Sequence, residues 1–219
     1  MKCSLREWQK ILKSPNDLIV NASVIDGSDS WTEYPIGMEF SIVFFKSKSD
    51  KFQIGNHEKI VNCCFSTNTD NYRRPNPPNR ISFLKTLEMN GIKNRKLTLR
   101  EYFYTLPSYK FMISPEGNGI DSHRIYESLI AGTIPIVEDN ILIRQKYKNM
   151  PVLYTKDYTE ITEFYLLKKY NEMIDIEYDF SPLFRSYWPE YQQKLIKQSS
   201  DYWTYTKSGH TYYDINISI

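Results

Sequence analysis

Between Tyr109 and Asn140 the chain reads YKFMISPEGNGIDSHRIYESLIAGTIPIVEDN, and few folds accommodate that order of residues. The apolar run Phe111-Met112-Ile113 has the length of a buried strand. A proline and two glycines then break regular structure across Ser114-Pro115-Glu116-Gly117-Asn118-Gly119. Asp121 or Ser122 can cap a helix in which Ile125, Tyr126, Leu129 and Ile130 share an apolar face. Arg124, Glu127, Ser128 and Ala131 are expected on or near its other side. Gly132 suits the helix end, and Ile134–Val137 reads as the next strand. The unit is therefore strand, loop, helix, strand.

Such a unit suits an anion. Free N–H groups and the positive end of the helix dipole gather where the loop meets the helix. Gly117 and Gly119 let a ligand approach the backbone closely. Arg124 falls in the first helical turn, where a cation is unfavourable unless a negative ligand is present. Glu127, one turn on, can accept hydrogen bonds from sugar hydroxyls. A phosphate attached to a ribose or another sugar meets both requirements. Glycine-bearing units of this kind also occur with no ligand.

The run SPEGNGIDSHRIYESLIAGTIPIV resembles the donor-binding segment of exostosin-like glycosyltransferases: a strand, a Ser/Pro/Gly loop, an Arg-aromatic-Glu helix, then Gly-x-Ile-Pro-Ile/Val. It is more distantly similar to the corresponding segment of α1,3-fucosyltransferases, in which a Tyr-Lys-Phe strand precedes a helix and a Thr-Ile-Pro-Ile strand. The resemblance runs from near Lys59 to Asp139, and its core, Tyr109–Val137, is the specific part. It implies an α/β fold: a GT-B-like, Rossmann-type parallel-sheet donor domain that binds a UDP- or GDP-sugar as substrate, with no separate cofactor and a glycan or glycoconjugate as acceptor. It also implies that Glu127 holds the donor ribose and, by similarity to the fucosyltransferases, that Arg80 contacts the diphosphate.

Sugar transfer needs the leaving diphosphate stabilised and the acceptor hydroxyl deprotonated. Arg124 is the first candidate for the leaving group, followed by Arg80 and the backbone of Gly117–Gly119; Ser114, Asn118, Asp121, Ser122 and His123 are candidate neighbours of the donor. Asp26, Asp29 and Glu33, in a loop after an expected strand, are candidate bases for an inverting transfer, with Glu116 and Asp139 as alternatives. No Asp-x-Asp motif stands where a metal-dependent transferase would use one, so no metal is expected.

The expected division is a reduced N-terminal, acceptor-side lobe over 1–56 and a nucleotide-sugar domain with a C-terminal helix over 57–219. A lobe that short is reduced, absent, or completed by an oligomer or a partner subunit. The rival expectation is a non-catalytic nucleotide- or glycan-binding module derived from a donor lobe. The net charge of +2, mixed along the chain, argues against nucleic acid. No stretch approaches the roughly 18–20 apolar residues of a membrane span, and MKCSLREWQKILKSP is no signal peptide, so a cytoplasmic protein is expected. Cys3, Cys63 and Cys64 read as small buried residues rather than a disulfide framework.

The remaining elements follow from pattern. Helices are expected over Ser4–Lys13, Asn79–Asn90, Leu99–Leu106, Ile141–Lys148, from Asp157 or Thr159 to Met173, and from Pro189 or Glu190 to about Tyr205. Strands are expected over Leu18–Ile25, Phe40–Phe45, Lys59–Phe65 and Pro151–Tyr154. The alternation argues for a parallel sheet covered on both faces, with its ligand crevice at the carboxyl ends of the strands.

Overall fold

The computed structural model of the protein describes residues 1–11, 17–39 and 55–197. In chain order these form β1 (Lys2–Ser4), α1 (Leu5–Ile11), β2 (Lys59–Asn62), α2 (Arg80–Met89), α3 (Leu99–Thr105) and β3 (Tyr109–Ile113). There follow α4 (His123–Ile130), β4 (Ile134–Glu138), α5 (Ile141–Lys146), β5 (Leu153–Thr155), α6 (Glu163–Met173) and β6 (Glu177–Asp179). Strands β2-β3-β4-β5 make a four-stranded parallel sheet in that order, with Val61 opposite Phe111, Phe111 opposite Ile134 and Ile136 opposite Leu153. The sheet is flanked by helices, and the architecture is α/β and compatible with a Rossmann-like fold. Because every strand of the sheet runs the same way, their carboxyl ends share one edge.

Local chemistry starts the helices where the sequence says it should. Asn79 and Ser82 make a reciprocal capping box at α2, and Thr98 and Glu101 make another at α3. Ser122 caps α4 through its side chain, Asn140 caps α5 and Thr162 caps α6. Helix α4 departs from expectation in one respect. Its residues Ile125 to Ile130, including Glu127 and Ser128, are all buried, as is Ala131. Only His123 and Arg124 in its first turn keep partial exposure, because the helix lies between the sheet and the N-terminal segment.

That segment is not the strand expected over Leu18–Ile25. Only Leu18 and Val20 form isolated bridges, to Phe184 and Met38. Asn21 sits at φ 50, which breaks the pleat, and the N–H groups of Asn21 and Ala22 bond to the carbonyls of Met38 and Ile36. The N–H of Ile19 goes to the Tyr126 hydroxyl at 2.9 Å. Helix α1 is tied down similarly: the Trp8 indole donates to the Leu129 carbonyl at 2.8 Å and stacks on Phe180 with ring centroids 4.1 Å apart. Leu5, Trp8, Ile19, Val20 and Met38 belong to the same hydrophobic core as Phe111, Leu129, Ile136 and Phe180.

Other boundaries move for identifiable reasons. Strand β2 stops at Asn62, because the Phe65 N–H and carbonyl are taken by the Asn94 side-chain amide instead of a neighbouring strand. Helix α6 begins at Glu163 rather than near Thr159, because Tyr158 sits at φ 66 and its hydroxyl reaches Glu138 at 2.9 Å. Residues 190–197 are helical, and the rest of the expected C-terminal helix, like the expected strand Phe40–Phe45, lies outside the described residues. All three cysteines are free and buried, and burial pushes the Cys63 thiol up to about 12. No helix among the described residues is long and apolar enough to cross a membrane.

Candidate functional site

A cleft of about 480 Å³ opens at the carboxyl edge of the sheet. It is lined by Cys64 after β2, the Gly117–Gly119 loop after β3, and the first turns of α4. Thr69, Arg80, Leu97, Leu99 and Tyr102 line it as well. Ile25, Ile36 and Glu39 of the N-terminal segment close it.

Arg124 and Glu127 lie one helical turn apart on α4, and both line this cleft. The Arg124 guanidinium donates one hydrogen bond, from Nη2 to the Cys64 carbonyl at 3.2 Å. Its Nε is buried and has no hydrogen-bond partner. A buried donor without an acceptor costs about 1–3 kcal/mol, so this is a conspicuous place for one to be left over. Glu127 is 2 % exposed. Its Oε2 accepts the Tyr102 hydroxyl at 2.6 Å and its Oε1 the Glu39 N–H at 3.0 Å. Burial first, then the charge of Glu127, pushes the Tyr102 phenol well above its usual range, so Tyr102 is the donor in that pair.

Arg80 is 2 % exposed and serves the loop. Its Nε donates to Glu116 O at 2.7 Å, Nη1 to Ser66 O at 2.8 Å and Nη2 to Pro115 O at 2.8 Å. Burial, helped by the charge of Arg124, lowers its pKa to about 10. The loop is further braced by Arg73 and Arg74, which the sequence reading did not single out. Arg73 Nη2 meets Glu116 Oε2 at 2.7 Å. Arg74 donates to Asp70 Oδ2, Glu138 Oε1 and Glu116 O at 3.0, 3.1 and 3.0 Å. The N–H of Gly117 bonds to Gly119 O at 2.9 Å, so the loop's own turn uses one of the donors expected to face a ligand. A Cβ on Gly119 would stand 2.1 Å from Ile25 O, which is why glycine is needed where the N-terminal segment crosses the loop.

The structure brings Arg80, Gly117, Asn118, Gly119, Asp121, Ser122, His123, Arg124 and Glu127 together on the cleft. Ser114 does not reach it; its hydroxyl donates to Met112 O at 3.3 Å within the sheet edge. Asp121 faces inward as well as lining the cleft: its carboxylate accepts Lys146 Nζ at 3.0 Å, the Tyr147 hydroxyl at 2.8 Å and the N–H groups of Ile36 and Ser122. Lys146 also donates to Ser23 Oγ at 2.7 Å and lies 3.5 Å from the Trp31 ring centroid. The Ser122 hydroxyl takes the Arg124 N–H at 3.3 Å as helix cap. His123 Nδ1 lies 2.9 Å from Gly37 O.

The carboxylates expected as bases stand elsewhere. Asp26, Asp29 and Glu33 are exposed and none lines the cleft. Asp26 closes a turn by accepting the Ser28 N–H at 2.9 Å, which holds its carboxyl below the usual range. Asp139 is paired with Arg144, and Glu116 with Arg73. The lining residues that the sequence does not point to are Ile25, Ile36, Glu39, Cys64, Thr69, Leu97, Leu99 and Tyr102. Only the Thr98-x-x-Glu101 capping box offered a signal, since it sets the phase in which Tyr102 is buried.

A scan against protein-family models finds no match, and a search of curated proteins finds no significant match.

Proposed function

We propose that the chain is a glycosyltransferase with a GT-B-like donor lobe, binding a UDP- or GDP-sugar in this cleft and transferring the sugar to a glycan hydroxyl with inversion and without a metal. The observation that carries the proposal is the buried, unpartnered Nε of Arg124, one turn before a buried carboxylate at the same cleft. A diphosphate oxygen supplies the missing acceptor, and Glu127 retains lone pairs for a ribose hydroxyl beside those used by Tyr102 and Glu39. As the bond from the anomeric carbon to the diphosphate breaks, charge develops on the leaving oxygen. Arg124 is positioned to stabilise it, with the Arg80 charge on the same cleft. The apolar side formed by Leu97, Leu99 and Tyr102 suits a nucleobase. Three free cysteines fit a cytoplasmic location.

A second reading has its own support. Of the described residues before position 57, only Ile25, Ile36 and Glu39 line the cleft. A cleft to which these described residues contribute only two isoleucines and one carboxylate fits a nucleotide- or glycan-binding module, or a transferase completed by another subunit.

Thermal unfolding with UDP, GDP, CMP, ADP and their common sugar conjugates tests both. A ligand at 100 times its dissociation constant adds about 2.7 kcal/mol of stability. A shift with one nucleotide family, lost in Arg124→Ala and Glu127→Ala, is expected. No response to any of them overturns the donor site. Binding without release of sugar selects the second reading.

A further inference from the structure

We infer that His123, not a carboxylate, is the group that deprotonates the acceptor hydroxyl; the inference rests on the transferase reading above. A carbonyl oxygen can only accept, so the 2.9 Å contact to Gly37 O places the proton of a neutral His123 ring on Nδ1. The other nitrogen, Nε2, then carries the lone pair. No partner for Nε2 occurs among the described residues, and His123 lines the cleft together with Arg124 and Asn118.

The orienting carbonyl is itself held. Gly37 adopts φ +86, and a Cβ there would stand 2.4 Å from Ile19 O. The Met38 N–H bonds to Ile19 O at 2.8 Å, and the Asn21 N–H to Met38 O at 3.2 Å. The peptide that aims the imidazole is thus clamped against residues 19–21. This gives the ring a fixed tautomer and direction, which is what a general base requires. It also assigns the short N-terminal segment a role: it contributes the orienting carbonyl instead of a catalytic carboxylate.

The carboxylates of the cleft are less suited. Asp121 is saturated by Lys146, Tyr147 and two N–H groups, and Glu127 holds Tyr102 and the Glu39 N–H. Glu39 is the remaining rival. In the proposed step the acceptor oxygen forms a bond to the anomeric carbon and gives its proton to His123 Nε2. The bond from that carbon to the diphosphate oxygen breaks, and its electron pair leaves with the nucleoside diphosphate. The imidazolium returns its proton to water.

The test uses hydrolysis of the donor, in which water replaces the acceptor, so the natural acceptor need not be known. UDP-glucose, UDP-N-acetylglucosamine, GDP-fucose and GDP-mannose are incubated with wild type, His123→Gln, His123→Ala and Glu39→Gln, and released nucleoside diphosphate is followed across pH. Thermal shift with the matching nucleotide is read in parallel. The expected result is a loss of about 10²- to 10⁴-fold in kcat for His123→Gln with the nucleotide shift retained. The acid limb of the pH profile should disappear, and added imidazole should partly restore His123→Ala. If His123→Gln weakens the nucleotide shift and keeps the acid limb, the ring is a phosphate contact; the base assignment falls and the transferase reading stands. If Glu39→Gln removes the limb and His123→Gln does not, the base is Glu39. If wild type binds a nucleotide but releases sugar from none of the four donors, the base assignment falls, and the chain is a binding module or a transferase that needs another subunit. If it neither binds nor hydrolyses, the cleft is not a donor site at all.

Discussion

The Tyr102 hydroxyl donates to Glu127 Oε2 at 2.6 Å across 25 residues of sequence. The contact joins α3 to α4 and decides how the carboxylate faces the cleft. Tyr102→Phe leaves a buried carboxylate with one fewer donor. The expected cost is roughly 1–3 kcal/mol in urea unfolding. A change within a few tenths of a kcal/mol would mean that water replaces the phenol and that Glu127 is not held by it.

Arg80 spends its guanidinium on three carbonyls from two different loops. Lysine keeps the charge and loses the planar fork. Arg80→Lys should therefore destabilise the protein by about 2–4 kcal/mol, since each hydrogen bond to a charged group is worth about 1.5–3 kcal/mol and lysine recovers at most part of them. Equal stability of the two proteins by chemical denaturation would show that charge alone is what the loop needs.

Lys146 and Asp121 form an ion pair whose side chains are both fully buried. Removing one partner strands the other, so Lys146→Met should cost about 3–5 kcal/mol. Lys146→Met combined with Asp121→Asn should be more stable than Lys146→Met alone, because the uncompensated charge is gone. A double variant no better than the single one would locate the damage in packing against Trp31 instead.

Gly119→Ala brings a methyl group to 2.1 Å from the Ile25 carbonyl, a backbone atom that cannot swing aside. The N-terminal segment must shift, which opens the cleft at Ile25. Easier protease cleavage within 17–39, together with a lower melting temperature, is the expected outcome; wild-type protection would show that the loop, not the segment, gives way.

Burial, and next the charge of Glu116, raise the Glu138 carboxyl above its ordinary 4.5, outweighing Arg74 and the hydrogen bonds it accepts. The folded state therefore holds this proton at pH values where the unfolded chain has released it. The contribution is fully present below about 4.5 and declines as pH rises through the folded value. Glu138→Gln cannot lose a proton, so its melting temperature relative to wild type should climb as pH rises from about 4.5 toward neutrality. A relative stability that falls over that range would show that Arg74 dominates and that the folded carboxylate is the favoured form.

By itself the sequence determined the local frame. Strand β3, the Gly117–Gly119 turn, helix α4 with Ser122 as cap, and strand β4 were legible, because periodicity, capping and turn chemistry act within a few residues. So was the gathering of Arg124, Glu127 and the glycine loop at one edge, which follows from a strand–loop–helix order. Three outcomes needed the tertiary structure. Leu18–Ile25 has the composition of a strand, yet it runs as an extended tie whose N–H groups find Tyr126, Ile36 and Met38. Arg80 lines the cleft, as a diphosphate contact would, but its guanidinium also holds three loop carbonyls that the sequence could not name. Asp26, Asp29 and Glu33 shared a loop but not the cleft, whereas Tyr102 and Glu39 arrived there from separate parts of the chain, and the Gly37 carbonyl came with the Glu39 segment to meet His123. Hydrogen-bond partners of buried groups are chosen by which segments the core presses together, and no window of a few residues contains that information.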